Sequence, residues 1–264
     1  MRVSALYRFP VKGFTPESCE SLSVSADSRI AGDRVLGFRF ANATVSGDAW
    51  GRKAEFVVLS NTPGLARLHL SFDHDRLRLR IALEGGLLAD EALDTGGRQR
   101  LVAALEEYVL GLEVNPLSSD PGRLPVRLIG DGRTSRYQDD QSGLITLHSR
   151  ESLAVVAAAS GAPDLSEHRF RSNIAIEGLA AWEEQGWIGR AVRIGTMDFD
   201  VVKPKARCLA THANPVTGAQ DLALMSILSK TFPADKPTFA VSLALRSGGG
   251  SGKLHVGDTV TLLD

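Results

Sequence analysis

The stretch DRLRLRIAL, residues 75–83, alternates apolar and charged side chains and therefore predicts a half-buried β-strand. Leu77, Leu79 and Ile81 would share one face of this strand, while the arginines between them would face water. Other short β-rich runs surround it, separated by Gly and Asn. Short strands with turn signals between them favour a barrel-like or sandwich-like unit, which we expect to end near residue 90.

The hydrophobic period changes after that point. Residues 96–112 (GGRQRLVAALEEYVLGL) carry apolar residues at helical spacing and predict a helix. We expect this helix and the loop after it, residues 91–118, to join an N-terminal β-barrel domain, residues 1–90, to a second domain, residues 119–264.

The second domain alternates between strand and helix patterns. Residues 149–161 predict a helix that Ser149 caps and Gly161 ends. HRFRSN, residues 168–173, offers Arg169, Arg171 and Asn173, and if this run is a strand, Arg169 and Arg171 share a face. The chain is therefore expected to be mainly β with some α, an α+β protein whose second domain is also a β-barrel, with peripheral helices.

At its N-terminus, residues 2–9 also alternate, which places Val3 and Ala5 on one face of a first strand. Near the C-terminus, SGGGSG, residues 247–252, is interpreted as a flexible hairpin loop rather than an anion-binding nest. The strand-to-helix context that such a nest needs is missing.

The composition excludes several classes of protein. A chain of 264 residues can bury a stable hydrophobic core without disulfide bonds or bound metal ions. Its 30 basic and 31 acidic residues argue against a nucleic-acid binder. Two distant cysteines form no disulfide framework and favour a reducing compartment. Neither a signal peptide nor a spanning apolar run is recognisable. We therefore expect a cytoplasmic protein with no nucleic-acid or membrane partner.

One of the two cysteines, Cys208, follows a cluster of cations, Lys203, Lys205 and Arg207. Adjacent positive charge lowers the pKa of a thiol and favours the thiolate. A thiolate can act as a nucleophile, carry sulfur or bind a soft metal. A packed cysteine beside strand-edge cations explains the same local pattern equally well.

Two other constellations are weaker. Cys208 and His212 have the spacing of a metal-binding pair, but a structural zinc site needs four ligands and only Cys19 remains to help. Ser142, His148 and the acidic pair at 139–140 suggest a hydrolase triad, yet no G-x-S-x-G pattern is present. Cys19 is expected to be a small, half-buried side chain.

Longer motifs follow one another along nearly the whole chain. The first half contains YRFPVKG (7–13), GDR (32–34) and WGRKAEFVVLSNTPGLARL (50–68). The second half contains HRFRSNIAIEG (168–178), RCLATHANPVTG (207–218) and LHVGDTVTLL (254–263). In this order and spacing the chain resembles the MOSC family, named after the C-terminal domain of molybdenum cofactor sulfurases, with the family's N-terminal β-barrel domain before it.

The resemblance implies a molybdenum cofactor (Mo-molybdopterin) in a cleft between two domains, as in the mitochondrial amidoxime-reducing component and its bacterial relatives. It implies that Cys208, in the family's R-C-x-x-T pattern, is the catalytic residue and the metal ligand. It also implies a set of cofactor-binding residues, in which Lys12 and Arg34 contact the phosphate region: Lys12, Arg34, Asp140, Gln141, Ser142, Arg171, Asn173, Arg207 and Thr211.

The sequence departs from the family pattern at three positions. Gly13 stands where Ser is frequent, Ser172 where Pro is, and Ala206 where Ser is. These departures weaken residue-level transfer at Gly13 and Ala206 and leave Cys208 untouched.

By resemblance the protein is an oxidoreductase that reduces a small N-hydroxylated substrate. The sequence contains no cysteine cluster for an iron–sulfur centre, so electrons would come from a separate flavin or iron–sulfur reductase. Two alternatives stay open: a sulfur carrier that bears a persulfide on Cys208 for metal–sulfur cofactor assembly, and a non-catalytic carrier of the molybdenum cofactor. Pyridoxal phosphate binding accompanies the resemblance only as a family-level label.

Overall fold

The computed structural model describes residues 1–232, 236–248 and 250–263. These residues form a mainly β structure with few helices, which confirms the α+β prediction. The strands β1 to β15 are, in chain order, Arg2–Arg8, Glu17–Cys19, Ser21–Val24, Gly37–Arg39, His69–Asp73, Arg78–Leu83, Gly86–Ala92, Arg127–Ile129, Ile145–Ser149, Ile174–Glu177, Ala191–Ile194, Met197–Ala206, Thr238–Leu245, Gly252–His255 and Val260–Leu263. The helices α1 to α4 are Thr95–Leu110, Pro116–Ser119, Arg150–Ser160 and Leu224–Thr231.

The largest sheet has eight strands in the order β15-β11-β12-β13-β9-β10-β1-β2. Its neighbours pair antiparallel, except that β9 and β10 are parallel and are connected through α3. Smaller sheets pair β14 with β3, β4 with β8, and β5, β6 and β7 with one another. Strands from before and after residue 90 therefore share one sheet, and the domain division at that residue stays a prediction.

The start of β1 approaches the turn before β15, the strand at the opposite edge of the large sheet. The Val3 amide donates to the Asp258 carbonyl, and the Gly257 amide donates to the Val3 carbonyl, each at 2.9 Å. One isolated bridge joins Arg2 to Thr259. Within residues 1–232, 236–248 and 250–263 the strand ladders form no closed barrel, because this contact is a single bridge rather than a paired strand.

A bulge between Val3 and Ala5 interrupts the alternation of β1. Val3 and Leu6 pack into the core of the large sheet, whereas Tyr7 and Ala5 pack with Phe9 in a separate cluster. The prediction that Val3 and Ala5 share a face was therefore wrong. The bulge shifts the register, so the residues that follow it change face.

The strand predicted from residues 75–83 is β6, in the middle of the three-stranded sheet. Leu79 and Ile81 are fully buried against Leu101 and Leu105 of α1, as the apolar pattern predicts. Burying one such side chain contributes about 1.5–3 kcal/mol. Leu77 is the exception: it lies in the preceding turn at φ 50° and is only partly buried.

The ends of α3 agree with the sequence prediction. Ser149 accepts a hydrogen bond from the Ser152 amide at 3.1 Å, which satisfies one of the free amides of the first turn. Gly161 ends the helix at φ 67°, a left-handed conformation that glycine adopts without steric cost.

The run HRFRSN does not form a strand, so the condition under which Arg169 and Arg171 share a face is not met. Glu167–Phe170 form a 3-10 helix whose first turn Ser166 caps, and Arg171 follows it at φ 55°. The side chains of Arg169 and Arg171 consequently diverge, because a 3-10 turn does not place residues two apart on one face.

In the part of the chain that the structure describes, no helix is both long and apolar enough to cross a membrane. The hairpin prediction for residues 247–252 includes Gly249, which lies outside the described residues.

Candidate functional site

A cleft of about 890 Å³, partly open to solvent, lies between the two halves of the chain. Residues 12–60 line one wall, and residues 137–242 line the other. β12 leads into the cleft and ends directly before Arg207 and Cys208.

The cleft brings together eight of the ten predicted site residues: Lys12, Arg34, Asp140, Arg171, Asn173, Arg207, Cys208 and Thr211. Gln141 and Ser142 do not line it. The Gln141 carbonyl accepts from Arg29 at 3.0 Å, and the Ser142 amide donates to Asp140 at 3.0 Å. These two residues therefore shape the loop and present no side chain to the cleft.

Positive charge dominates the cleft. Only two carboxylates, Asp139 and Asp140, line it among the described residues. Eight cationic side chains surround them: Lys12, Arg34, Lys53, Arg169, Arg171, Lys203, Lys205 and Arg207. The whole chain has a formal net charge of −1, so the cationic excess is local to this site. A concave site with one sign of charge attracts a ligand of the opposite sign.

Arg34 and Arg171 stack on one aromatic ring. Their guanidinium carbons lie 4.4 Å and 4.5 Å from the centre of the Phe9 ring. Arg34 also pairs with Asp33, while Arg171 donates to the Phe14 carbonyl. Burial, followed by the charge of Arg34, lowers the pKa of Arg171 to about 10. Two cations held this close favour an anion between them.

Lys12 is fully buried, and its ammonium group donates three hydrogen bonds to one loop. The acceptors are the carbonyls of Tyr137 and Gln138, at 2.9 Å and 3.2 Å, and the Asp139 carboxylate at 3.0 Å. An ammonium group has three donors, so all of them are used within the protein. Lys12 thus fixes the loop that forms one wall of the cleft.

Asn173 is buried and its side chain joins three segments. Its Oδ1 accepts from the Thr146 amide and hydroxyl, at 3.3 Å and 3.1 Å. Its Nδ2 donates to the Tyr7 carbonyl at 3.2 Å and to Asp33 at 3.4 Å. Asn173 therefore aligns β1, β9 and the Asp33–Arg34 turn around the cleft.

Arg207 and Arg169 bind the backbone of the cleft wall. Arg207 Nε donates to the Phe239 carbonyl at 2.6 Å, and burial lowers the pKa of Arg207 to about 9. Arg169 donates to both carboxylate oxygens of Asp221, at 2.8 Å and 2.9 Å. It also donates to the His212 carbonyl at 3.0 Å, so it holds the turn that follows Cys208.

Cys208 caps a 3-10 helix at Leu209–His212. Its carbonyl accepts hydrogen bonds from both the amide and the hydroxyl of Thr211, each at 3.0 Å. Thr211, which was predicted as a cofactor-binding residue, is buried and stabilises this turn. The Cys208 side chain is half-buried and lines the cleft. Burial lowers the pKa of Lys53, but the Cys208 and Asp139 side chains beside it outweigh this, so the pKa of Lys53 is raised.

The lining residues that were not predicted as site residues include Lys53, Lys203, Lys205 and Ser242. The period-two spacing of Lys203, Lys205 and Arg207 was a usable signal, because alternate residues of a strand share a face. Lys203 pairs with Asp140, whereas burial and the charge of Arg207 lower the pKa of Lys205 to about 8. Nothing in the local sequence indicates Ser242.

The weaker constellations have other structural roles. His148 is buried and lies 3.1 Å from Glu167, while Ser142 is exposed on the loop. Nε2 of His212 accepts from the Met225 amide at 3.3 Å. Cys19 is half-buried, and burial raises the pKa of its thiol.

Comparison with known proteins bears on the second half of the chain. The MOSC domain family matches residues 135–261. No curated protein matches the sequence. A crystal structure of the YUAD protein from Bacillus subtilis is similar over 98% of this chain and 93% of its own, at 10% identity and a TM-score of 0.43. YiiM from Geobacillus stearothermophilus is similar over 46% of this chain and 54% of its own, at 17% identity and a TM-score of 0.33.

The family match covers most of one cleft wall, from the loop before β9 to the turn after Cys208. The MOSC domain is generally a molybdenum-cofactor-binding domain, and its family includes enzymes related to that cofactor. Residues 135–261 of this chain therefore match the MOSC domain family, which is associated with molybdenum cofactor binding.

Proposed function

We propose that the cleft binds a molybdenum cofactor with the Cys208 sulfur as a metal ligand. We further propose that the protein is an oxidoreductase that reduces small N-hydroxylated molecules with electrons from a separate donor protein. The excess of cationic side chains over carboxylates in the cleft carries this proposal. Mo-molybdopterin has a phosphate tail, and burial has already lowered the pKa of three of the cleft's cations, Arg171, Lys205 and Arg207.

The cleft also has unused polar groups that such a ligand would satisfy. Ser242 lies 1% exposed in the cleft wall, and its hydroxyl has no hydrogen-bond partner among the described residues. Buried hydroxyls without partners are uncommon in folded proteins. Lys205 makes no hydrogen bond within the described part of the chain, although most of its side chain is covered. Both observations fit a site built for a polar, anionic ligand.

The side chains divide the binding task by their chemistry. The planar guanidinium groups of Arg34 and Arg171 suit a phosphate, which accepts two parallel hydrogen bonds from each. A thiolate at Cys208 suits a soft metal. Lys12 and Asn173 orient the walls and reach no ligand themselves. When bound, the cofactor supplies two-electron redox chemistry at its metal, while the protein supplies position and charge.

The electron donor is proposed to be a separate flavin or iron–sulfur protein. The chain has two cysteines, Cys19 and Cys208, which lie in different parts of the fold. A biological iron–sulfur cluster takes four ligands, most of them thiolates.

Metal and pterin content test the proposal. Protein from a molybdenum-replete host should contain molybdenum and a fluorescent pterin, and Cys208→Ser should lose most of the metal. Cys19→Ser is the matched control and should load like wild type. Equal loading of the Cys208→Ser and wild-type proteins contradicts the role of Cys208.

Turnover separates the proposed enzyme from its alternatives. Loaded protein supplied with an artificial reductant should convert benzamidoxime to benzamidine. A loaded protein that never turns over is a cofactor carrier. A mass increase of one sulfur on Cys208 after exposure to a cysteine desulfurase, in protein without molybdenum, identifies a sulfur carrier instead.

A further inference from the structure

A second cavity adjoins the cleft next to Cys208. It encloses about 720 Å³, including its open part, and shares Leu59, Arg169, Arg171 and Ala210 with the cleft. Ala210 lies two residues after Cys208, in the 3-10 helix that Cys208 caps. The second cavity therefore shares a wall with the cleft, close in sequence to the proposed metal ligand.

The walls of this cavity are mostly apolar and come from both halves of the chain. Thr15 and Pro16 also line it. The Thr15 hydroxyl donates a hydrogen bond to the Leu68 carbonyl at 2.6 Å. Six apolar side chains form most of the surface: Leu59, Ala66, Leu70, Ala210, Ala213 and Pro215. No carboxylate lines the cavity among the described residues. Such a surface favours a ligand with an apolar body.

His168 is one of the polar residues that line the second cavity, together with Thr15, His69 and the two arginines. Its ring packs edge-on against Tyr7, with 5.0 Å between the ring centres, which fixes its orientation. Burial lowers the pKa of His168, so the ring is neutral at pH 7 and has one donor and one acceptor nitrogen. Neither nitrogen forms a hydrogen bond within the described part of the chain.

The two arginines of the shared wall, Arg169 and Arg171, determine which ligand charge the cavity favours. Asp221 neutralises Arg169 through two hydrogen bonds, at 2.8 Å and 2.9 Å. Arg171 has no carboxylate bonded to it in the described residues and contributes positive charge. A cationic ligand is therefore disfavoured, because no carboxylate in the cavity offsets this repulsion.

The second cavity also has its own way to the surface. His69, His168, Arg169 and Pro215 line both this cavity and an outer depression, which residues 162–166 and 214–216 surround. The second cavity therefore adjoins this outer depression through residues that, apart from Arg169, do not line the cleft.

We propose that the second cavity is the substrate subsite, and that it selects uncharged molecules with an apolar body and one polar group that His168 hydrogen-bonds. The identity of this ligand as a substrate rests on the proposed function. The selectivity of the cavity and the role of His168 are inferred from the residues that line it.

Ligand binding tests the subsite without turnover. Isothermal titration with benzamidoxime, an uncharged probe, is compared with benzamidine, which has a similar ring and a positive charge, on protein with and without molybdenum. Benzamidoxime should bind at least about tenfold more tightly, a difference of about 1.4 kcal/mol. Equal affinities for the two probes overturn the selectivity.

Two substitutions locate the binding. Ala213→Leu adds bulk to the wall and should weaken benzamidoxime binding about tenfold or more, while molybdenum content stays at the wild-type level. Ala103→Leu, on the exposed face of α1, is the matched control. Because Ala213 is 3% exposed, melting curves show whether Ala213→Leu folds. Wild-type affinity in a folded Ala213→Leu overturns the location.

His168→Leu and His168→Gln provide a second, independent test. Leu removes the polar group, whereas Gln restores a donor and an acceptor. Binding should fall in His168→Leu and recover in part in His168→Gln, and in loaded enzyme KM should rise more than kcat falls. Unchanged binding in His168→Leu overturns the role of His168. Selective probe binding by a protein that never loads molybdenum supports the subsite and refutes the proposed function alone.

Discussion

Arg34 and Arg171 are 137 residues apart in the chain, yet their guanidinium groups stack on the same aromatic ring. Both residues have positive φ angles, 51° and 55°, a conformation that non-glycine residues seldom adopt. Each cation–π contact contributes about 0.5–2 kcal/mol, which helps to offset the repulsion between the two charges. In the proposed function this pair binds an anion, whose negative charge would offset the remaining repulsion.

Arg171→Lys tests the pair. Lysine keeps the charge but loses the planar fork and the stacking on Phe9, so phosphate recognition should weaken. We expect molybdenum and pterin content to fall at least about tenfold, equivalent to about 1.4 kcal/mol of binding. Metal analysis and pterin fluorescence measure this loss.

Arg133→Lys is the control for that substitution, because Arg133 is exposed on the loop and lies outside the cleft. It should load like wild type. Equal loss of cofactor in both variants would show that the loss is not specific to the stacked pair.

The lowered pKa of Lys205 predicts that anion binding depends on pH. Burial and the charge of Arg207 lower the pKa of Lys205 to about 8, so the group loses its proton as pH rises through 8 in the empty protein. A bound anion favours the protonated form, so affinity should fall between pH 7 and pH 9. Titration with inorganic phosphate across this window measures the fall, which should be smaller in Lys205→Met.

The same pKa predicts an opposite effect on stability. A lysine whose pKa is lower in the folded state binds fewer protons there than in the unfolded chain, so the free energy of unfolding rises as pH increases above about 8. Lys205→Met should therefore melt at a higher temperature than wild type at pH 7, with a smaller difference at pH 9. Lys253→Met, at an exposed position, should show neither change.

Lys12→Met tests whether Lys12 positions the loop. Methionine fills a similar volume but removes the three hydrogen bonds to residues 137–139. Burial lowers the pKa of Lys12, so its charge is costly to bury and its loss partly offsets the lost bonds. Amide hydrogen exchange in residues 137–142 should increase, while exchange in β13 stays slow. Unchanged exchange in the loop would contradict the positioning role.

Asn173→Ala tests the buried network behind the cleft. The substitution removes the acceptor of the Thr146 hydroxyl and a donor to the Tyr7 carbonyl, and buried groups left unsatisfied cost about 1–3 kcal/mol each. We expect the free energy of unfolding, measured in urea, to fall by about 2–4 kcal/mol. Asn42→Ala, which removes an exposed hydrogen bond to Asp120, should change it by less than about 0.5 kcal/mol.

Local patterns predicted the elements whose stability is local. The alternation around Leu79 and Ile81 gave a strand with the correct buried face, and Ser149 and Gly161 marked the two ends of α3. Caps and alternation act between residues that are close in sequence, so one segment contains the whole signal. The pattern was wrong where a single inserted residue changed the register, as between Val3 and Ala5 of β1.

Long-range geometry decided the details of the site. Arg169 and Arg171 are two residues apart, yet one binds Asp221 and the other stacks on Phe9, because a 3-10 turn separates their directions. Lys53 and Ser242 lie far from Cys208 in sequence, and only the packing of the two halves brings all three to one cleft.

The sequence by itself determined the mainly β class, the bounds of a few elements such as β6 and α3, and a family-like set of cations around Cys208. Only the tertiary structure decided which of those cations are free to bind a ligand. Lys12 donates to two backbone carbonyls and the Asp139 carboxylate, and Arg207 donates to backbone carbonyls and the Ser172 hydroxyl. Lys205 has none of its donors bonded in the described residues. The physical reason is that hydrogen-bond satisfaction depends on acceptors from distant segments, which a motif does not contain.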